Sequence, residues 1–150
     1  MQPRMKNPVM VLEKVNPAIQ TMMSAIRESG LSPDIIDFVG LRVGQMNNCE
    51  LCIGLHMTKA LNDPALKDRI QFVLDWRESA VFTEAERVAM ELAEAITELK
   101  DRYNSVQDAL WKKVENQFNE KERAGLVLAI SAVNMFTRVN VATRQETLNL

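Results

Sequence analysis

Apolar residues return every three or four positions along most of the chain, and no stretch alternates apolar and polar residues over a strand's length. With only five glycines and five prolines to interrupt it, the pattern predicts an all-α protein. Residues 1–15 show no clear period and are read as an arm ahead of one helical domain, 16–150. Asn16 as cap and Pro17 as opening residue predict a first helix, which Gly30 ends. Ser32 and Pro33 predict a second, on which Ile35, Ile36, Phe38, Val39, Leu41 and Val43 are too many for a narrow stripe, so it should be buried on most sides. The Asn47–Asn48 pair separates it from a third, which stops near Asn62. Asp63–Pro64 predicts a fourth helix carrying Leu66, Ile70, Val73 and Leu74 towards Trp76. A Thr83/Glu86 capping box opens a fifth, running to about Lys100 with Val88, Leu92, Ala95, Ile96 and Leu99 on one face. Ser105 is the expected cap of a sixth, and Asn119 with Glu122 opens a last long helix through about Thr147. The expectation is a bundle of about six to seven helices.

At 150 residues the chain suits one domain with a real core. It is 47% apolar and 25% charged, with a net charge of −2, so it carries no basic footprint for nucleic acid or an anionic membrane. No uninterrupted apolar run of about 18 residues predicts a membrane span. The apolar stretch 8–12 is too short for a secretory signal, and the chain is read as cytoplasmic. In that compartment two cysteines three positions apart suggest redox or metal chemistry rather than a structural staple.

Those cysteines, Cys49 and Cys52, lie within eight positions of the only histidine, His56. On a helix advancing about 100° per residue, the three fall within about 60° of one another. Cys-x-x-Cys on a first helical turn closes a disulfide with little backbone movement, and a helix N-terminus favours the reactive thiolate. Asn47 and Asn48 are the expected N-caps, which places Cys49 near the first helical position and Cys52 about one turn in. His56 can accept or return a thiol proton near neutral pH. Two other readings fit the same residues. The cysteines can be buried packing residues. Alternatively, Cys49, Cys52, His56 and Asp37 can supply four ligands to a zinc ion. Glu50 reads as a favourable charge at a helix start, and Arg42 as half of an inter-helix or inter-subunit ion pair.

Leu41-Arg42-Val43-Gly44-Gln45-Met46-Asn47-Asn48-Cys49-Glu50-Leu51-Cys52-Ile53-Gly54-Leu55-His56 resembles the core run of the alkylhydroperoxidase D-like (AhpD-like), or carboxymuconolactone decarboxylase-like, family. The family's acidic residue, usually a glutamate twelve positions before the first cysteine, is Asp37 here. Leu51 stands where the family often has an aromatic residue or a second histidine, so no relay runs through that side chain. Segments 75–78, 82–87 and 130–138 extend the similarity, although Phe136-Thr137-Arg138 replaces the family's usual Trp-Asn-Arg.

The resemblance implies a single-domain AhpD-like bundle with the Cys-x-x-Cys at the N-terminus of a central helix. It also implies a thiol-dependent peroxidase in antioxidant defence. Cys52 would attack the peroxide and become a sulfenic acid, and Cys49 would resolve it to a disulfide. His56 would take the thiol proton, with Asp37 orienting it or relaying through it. No bound cofactor or metal is implied, only the redox-active Cys49–Cys52 pair and an external dithiol, in relatives a lipoyl group on a carrier protein. The alternatives are a general disulfide reductase, a carboxymuconolactone decarboxylase-like lyase, which usually lacks the cysteine pair, and a scaffold that uses its thiols little. The apolar surface expected on residues 31–78, and the habit of relatives, point to a homo-oligomer, a trimer or hexamer.

Overall fold

The structure is a computed structural model and describes residues 2–101 and 104–145. Seven α-helices follow one another: α1 Pro8–Val11, α2 Val15–Arg27, α3 Pro33–Met46, α4 Glu50–Leu61, α5 Glu84–Glu98, α6 Asp108–Gln117 and α7 Glu120–Thr143. No strand occurs among the described residues.

Helix α3 is the hub, packing against α4, α5 and α7. It is buried on most sides because its apolar residues serve two cores. Ile35, Val39 and Val43 join Leu92 of α5, Val114 of α6 and Leu126 and Ile130 of α7. Phe38 and Leu41 instead meet Ala60 of α4, Met90 of α5 and Leu66, Ile70, Val73, Trp76 and Phe82 from the α4–α5 connection. Phe38 and Phe82 stack edge to face at 5.1 Å, and the Arg69 guanidinium lies 5.0 Å over the Phe38 ring. Between the cores, Glu94 of α5 accepts from Arg42 Nε at 2.7 Å, Trp76 Nε1 at 2.9 Å and Arg77. Arg42 is therefore an inter-helix ion pair. Burial would raise the Glu94 carboxyl, but the hydrogen bonds from Arg77 and Trp76 and the charge of Arg42 outweigh it and hold it below its ordinary range.

The expected capping box at Thr83 is present, and the expected helix start at Asn119 proves to be a second one. Thr83 and Glu86 exchange side-chain-to-backbone bonds at the start of α5, and Asn119 and Glu122 do so at the start of α7. Four expected boundaries differ. Helix α2 begins at Val15, before Asn16 and Pro17, and Pro17 is tolerated because a first-turn N–H has no intrahelical partner. Between α4 and α5, residues 64–78 form successive turns around a short 3-10 stretch, Ile70–Val73, instead of a continuous α-helix. There the Asp63 carboxylate takes the Ala65 N–H, and Arg69 reaches out to the Val81 carbonyl and Glu86. Ser105 bonds Asp101 in a turn and does not cap α6, whose N-cap position is Gln107. Helix α7 ends at Thr143 with Arg144 in a left-handed conformation, and Thr147 lies outside the described residues.

Helix α7 is long and apolar enough to cross a membrane by length and composition alone. Its apolar sequence is interrupted by Asn134, Thr137 and Asn140, and these turn inward to partners on other elements. The N-terminal segment is tied to the far end of α7, where Arg4 donates to the carbonyls of Thr143 and Ala142 and Gln145 donates to the carbonyl of Met5.

Candidate active site

The turn from α3 to α4 fixes the cysteines. Asn48 has φ of 50°, the left-handed position that closes a helix. Asn48 N–H bonds the Gln45 carbonyl and Cys49 N–H bonds the Gly44 carbonyl at 2.9 Å, the paired closure of a Schellman motif. Cys49 is at once the last residue of that motif and the N-cap of α4, its Sγ accepting the Cys52 N–H at 3.3 Å. The asparagines thus end α3 and do not cap α4. Asn47 donates its side-chain amide to Asn134 Oδ1 on α7 at 3.0 Å. Cys49 stands just outside the helix and Cys52 is its third residue. The two are joined in a disulfide, their Cα atoms 5.2 Å apart, and each is about 5% exposed or less. Glu50 lies in the first turn, where its charge suits the helix dipole.

One turn beyond Cys52, His56 lies against α3 at Gly40. A Cβ built on Gly40 would overlap the imidazole, so glycine there makes room for the ring. His56 Nδ1 is 3.5 Å from Asp37 Oδ1. Asp37 is nearly enclosed, its side chain 3% exposed, and Lys59 Nζ reaches its two oxygens at 2.9 and 2.7 Å. Burial would push the Asp37 carboxyl up. The hydrogen bonds from His56 and Lys59 more than offset it and hold the group below the ordinary aspartate range, as a carboxylate. The shorter acid thus stands at direct ion-pair distance from the imidazole.

Helix α7 supplies the other side. Cys52 Sγ is 3.4 Å from the Thr137 hydroxyl and 3.9 Å from Asn140 Nδ2. Beyond the sulfur opens a cavity of about 250 Å³. Leu51, Leu55, Val133, Phe136 and Val139 line it from α4 and α7, and Val9, Met10 and Ile19 close it from the N-terminal helices. Cys52 and His56 belong to this wall, and Cys49 does not.

The structure therefore brings Cys49, Cys52, His56 and Asp37 into one region. The sulfurs are joined, Asp37 is held by Lys59 and His56, and among the described residues no group of three or more histidine, cysteine or acidic side chains converges as for a metal ion. Sequence reasoning missed Lys59, Thr137, Asn140 and Gly40. Lys59 was three positions beyond His56 on the same helix, a spacing that puts the two on one face. Thr137 and Asn140 lie more than 80 positions from Cys52, and no local pattern pairs them with it.

Residues 14–95 match the model of the carboxymuconolactone decarboxylase family. The uncharacterised protein YdfG of Bacillus subtilis is 29% identical over 116 residues, 77% of this chain and 78% of that protein. A protein of unknown function from Agrobacterium tumefaciens, described as a candidate antioxidant defence protein AhpD, superposes with a TM-score of 0.85 at 25% identity, over 97% of this chain and 98% of that one. The debrominase Bmp8 shares the fold alone, with a TM-score of 0.79 at 14% identity over 91% of this chain and 73% of its own.

Proposed function

The chain belongs to the carboxymuconolactone decarboxylase family and has an AhpD-like fold, and on that premise we propose that it is a thiol-dependent peroxidase of antioxidant defence. The fold also carries a debrominase, so the reading rests on the site. The observation that carries it is the placing of Cys52 in the wall of an apolar cavity, bonded to Cys49 behind it and followed one turn later by His56 on a buried carboxylate.

In the reduced protein, His56 takes the Cys52 thiol proton, with Asp37 holding the imidazole. The Cys52 thiolate attacks the distal oxygen of a hydroperoxide. The O–O bond breaks, the alkoxide leaves with the proton from His56 as an alcohol, and Cys52 becomes a sulfenic acid. Cys49 sulfur then attacks the Cys52 sulfur. An S–S bond forms, and hydroxide leaves with the Cys49 proton as water. An external dithiol, for which a lipoyl group is the candidate, reduces the disulfide by exchange and is itself oxidised to a cyclic disulfide. The cavity's apolar lining favours an organic hydroperoxide over hydrogen peroxide.

A cytoplasmic setting, where dithiol reductants are maintained, suits this cycle. Leu55, Leu61, Phe72 and Leu74 stay exposed on the isolated chain, which supports assembly into a trimer or hexamer. Light scattering returning a monomer mass at micromolar concentration would remove the assembly from the proposal.

The test is hydroperoxide consumption with dihydrolipoamide as reductant. Turnover that exceeds the free dithiol's own rate and disappears in Cys52→Ser supports the reading. Reduction of a model disulfide without peroxide consumption would replace it with a disulfide reductase, and turnover of a carboxymuconolactone by alkylated protein with a lyase.

A further inference from the structure

The two sulfurs differ in what surrounds them. Cys49 Sγ is the cap of α4, where the Cys52 N–H and the positive end of the helix dipole favour negative charge. Cys52 Sγ lies inside the helix against an apolar cavity, where loss of water disfavours a thiolate. On these terms alone Cys49 would be the more readily ionised sulfur, and it does not line the cavity. Something must offset the burial of Cys52 if the sulfur facing the cavity is to react.

Two polar groups of α7 do face it. Thr137 is 3% exposed in a largely apolar setting, and its hydroxyl lies 3.4 Å from Cys52 Sγ. Asn140, one turn short of the helix end, points its Nδ2 at the same sulfur at 3.9 Å and also lines the cavity. Both are donors to a thiolate.

We propose that Thr137, supported by Asn140, holds the negative charge of Cys52 in the reduced protein and thereby makes Cys52, not Cys49, the attacking sulfur. The assignment of an attacking sulfur rests on the peroxidase reading above, whereas the holding of charge does not. A hydrogen bond to a charged group in a buried place strengthens as the surroundings become less polar, so one hydroxyl is enough to matter.

The experiment titrates one sulfur at a time. Reduced Cys49→Ser protein leaves Cys52 as the sole thiol, and its ionisation is followed through thiolate ultraviolet absorbance and through the pH profile of iodoacetamide alkylation. The Thr137→Val exchange in that background removes the hydroxyl with little change in shape. Loss of a hydrogen bond to a charged group corresponds to an upward shift of about one pH unit. Thr137→Ser should return the midpoint to within a few tenths of a unit of its starting value. Asn140→Leu, at a partly exposed position, gives a second and smaller upward shift and serves if the valine variant does not fold. In the Cys52→Ser background, Thr137→Val should leave Cys49 where it was. An unmoved Cys52 midpoint in both the valine and leucine variants, or a Cys49 midpoint that moves equally, overturns the inference. If the wild type consumes no hydroperoxide while the Cys52 midpoint moves as stated, the peroxidase reading fails and the charge-holding role stands.

Discussion

Gly40→Ala separates the packing of the site from the stability of the fold. A Cβ at this position would overlap the His56 ring, and the backbone of α3 is packed on several sides and has little freedom to withdraw. The ring is the part able to move, because the His56 side chain is 21% exposed and has solvent on one side. Replacing glycine by alanine in a helix interior gains about 1 kcal/mol. Overpacking costs about 1–3 kcal/mol, and lies near the lower end where a side chain can swing away. The net stability change should therefore stay within about 1 kcal/mol, or about 2–4 °C in Tm for a chain of this size. The chemistry should suffer far more, since a ring displaced from Asp37 no longer serves as an oriented base, a role worth about 10²–10⁴-fold. Gly54 is the matched control. It lies on the same helix as His56, and a Cβ there meets nothing within 4 Å. Gly54→Ala should raise Tm by about 2–4 °C, the worth of about 1 kcal/mol, and leave turnover unchanged. Thermal unfolding and hydroperoxide turnover are measured on both variants. As His56 is the only histidine, its imidazole NMR signals report the ring's position without ambiguity. A Gly40→Ala protein with full activity and unshifted imidazole signals would refute the reasoning.

Three further outcomes are expected. Asp37 is held below its ordinary range in the native protein, so its contribution to stability is present above the unfolded-state value of about 3.9 and is lost as pH falls through the lower native value. Urea midpoints of wild type and Asp37→Asn should thus converge on acidification from pH 7, and parallel curves would contradict this. Glu94→Gln removes the charge that pairs with Arg42 and Arg77 at a largely buried position and should cost about 1–3 kcal/mol with little change in turnover; denaturant unfolding and steady-state rates check both halves. Met10→Trp enlarges the N-terminal wall of the cavity and should lower the rate with a bulky organic hydroperoxide more than with hydrogen peroxide, and equal losses would place Met10 off the substrate's path.

Much of the fold was legible because its signals are local. The Thr83/Glu86 and Asn119/Glu122 pairs and the Ser32–Pro33 start each lie within four residues; both pairs form capping boxes, and α3 opens at Pro33, although the Ser32 side chain makes no capping bond. The crowded apolar pattern of α3 announced a helix buried on most sides, and its apolar residues are shared between the two cores. The misreadings arose where one local signal competed with another. Asn47–Asn48 reads equally as a cap for the next helix or a closure of the last, and the left-handed Asn48 settles it as closure. Residues 64–78 keep an α-like spacing of apolar side chains, yet Asp63 and Arg69 draw the chain into tighter turns. At the site, the cysteines, His56 and Asp37 were visible from spacing and resemblance. Thr137 and Asn140 were not, since only the packing of α7 on α4 brings them to the sulfur.

The most direct measurement is intact mass of the fully reduced protein after one equivalent of an organic hydroperoxide, with Cys49→Ser and Cys52→Ser beside it. The expected result is rapid loss of two hydrogens in the wild type, one added oxygen in Cys49→Ser, and no change in Cys52→Ser. Oxygen added to Cys52→Ser instead would reverse the roles of the sulfurs, and a wild type no faster than a free thiol would contradict the peroxidase reading itself.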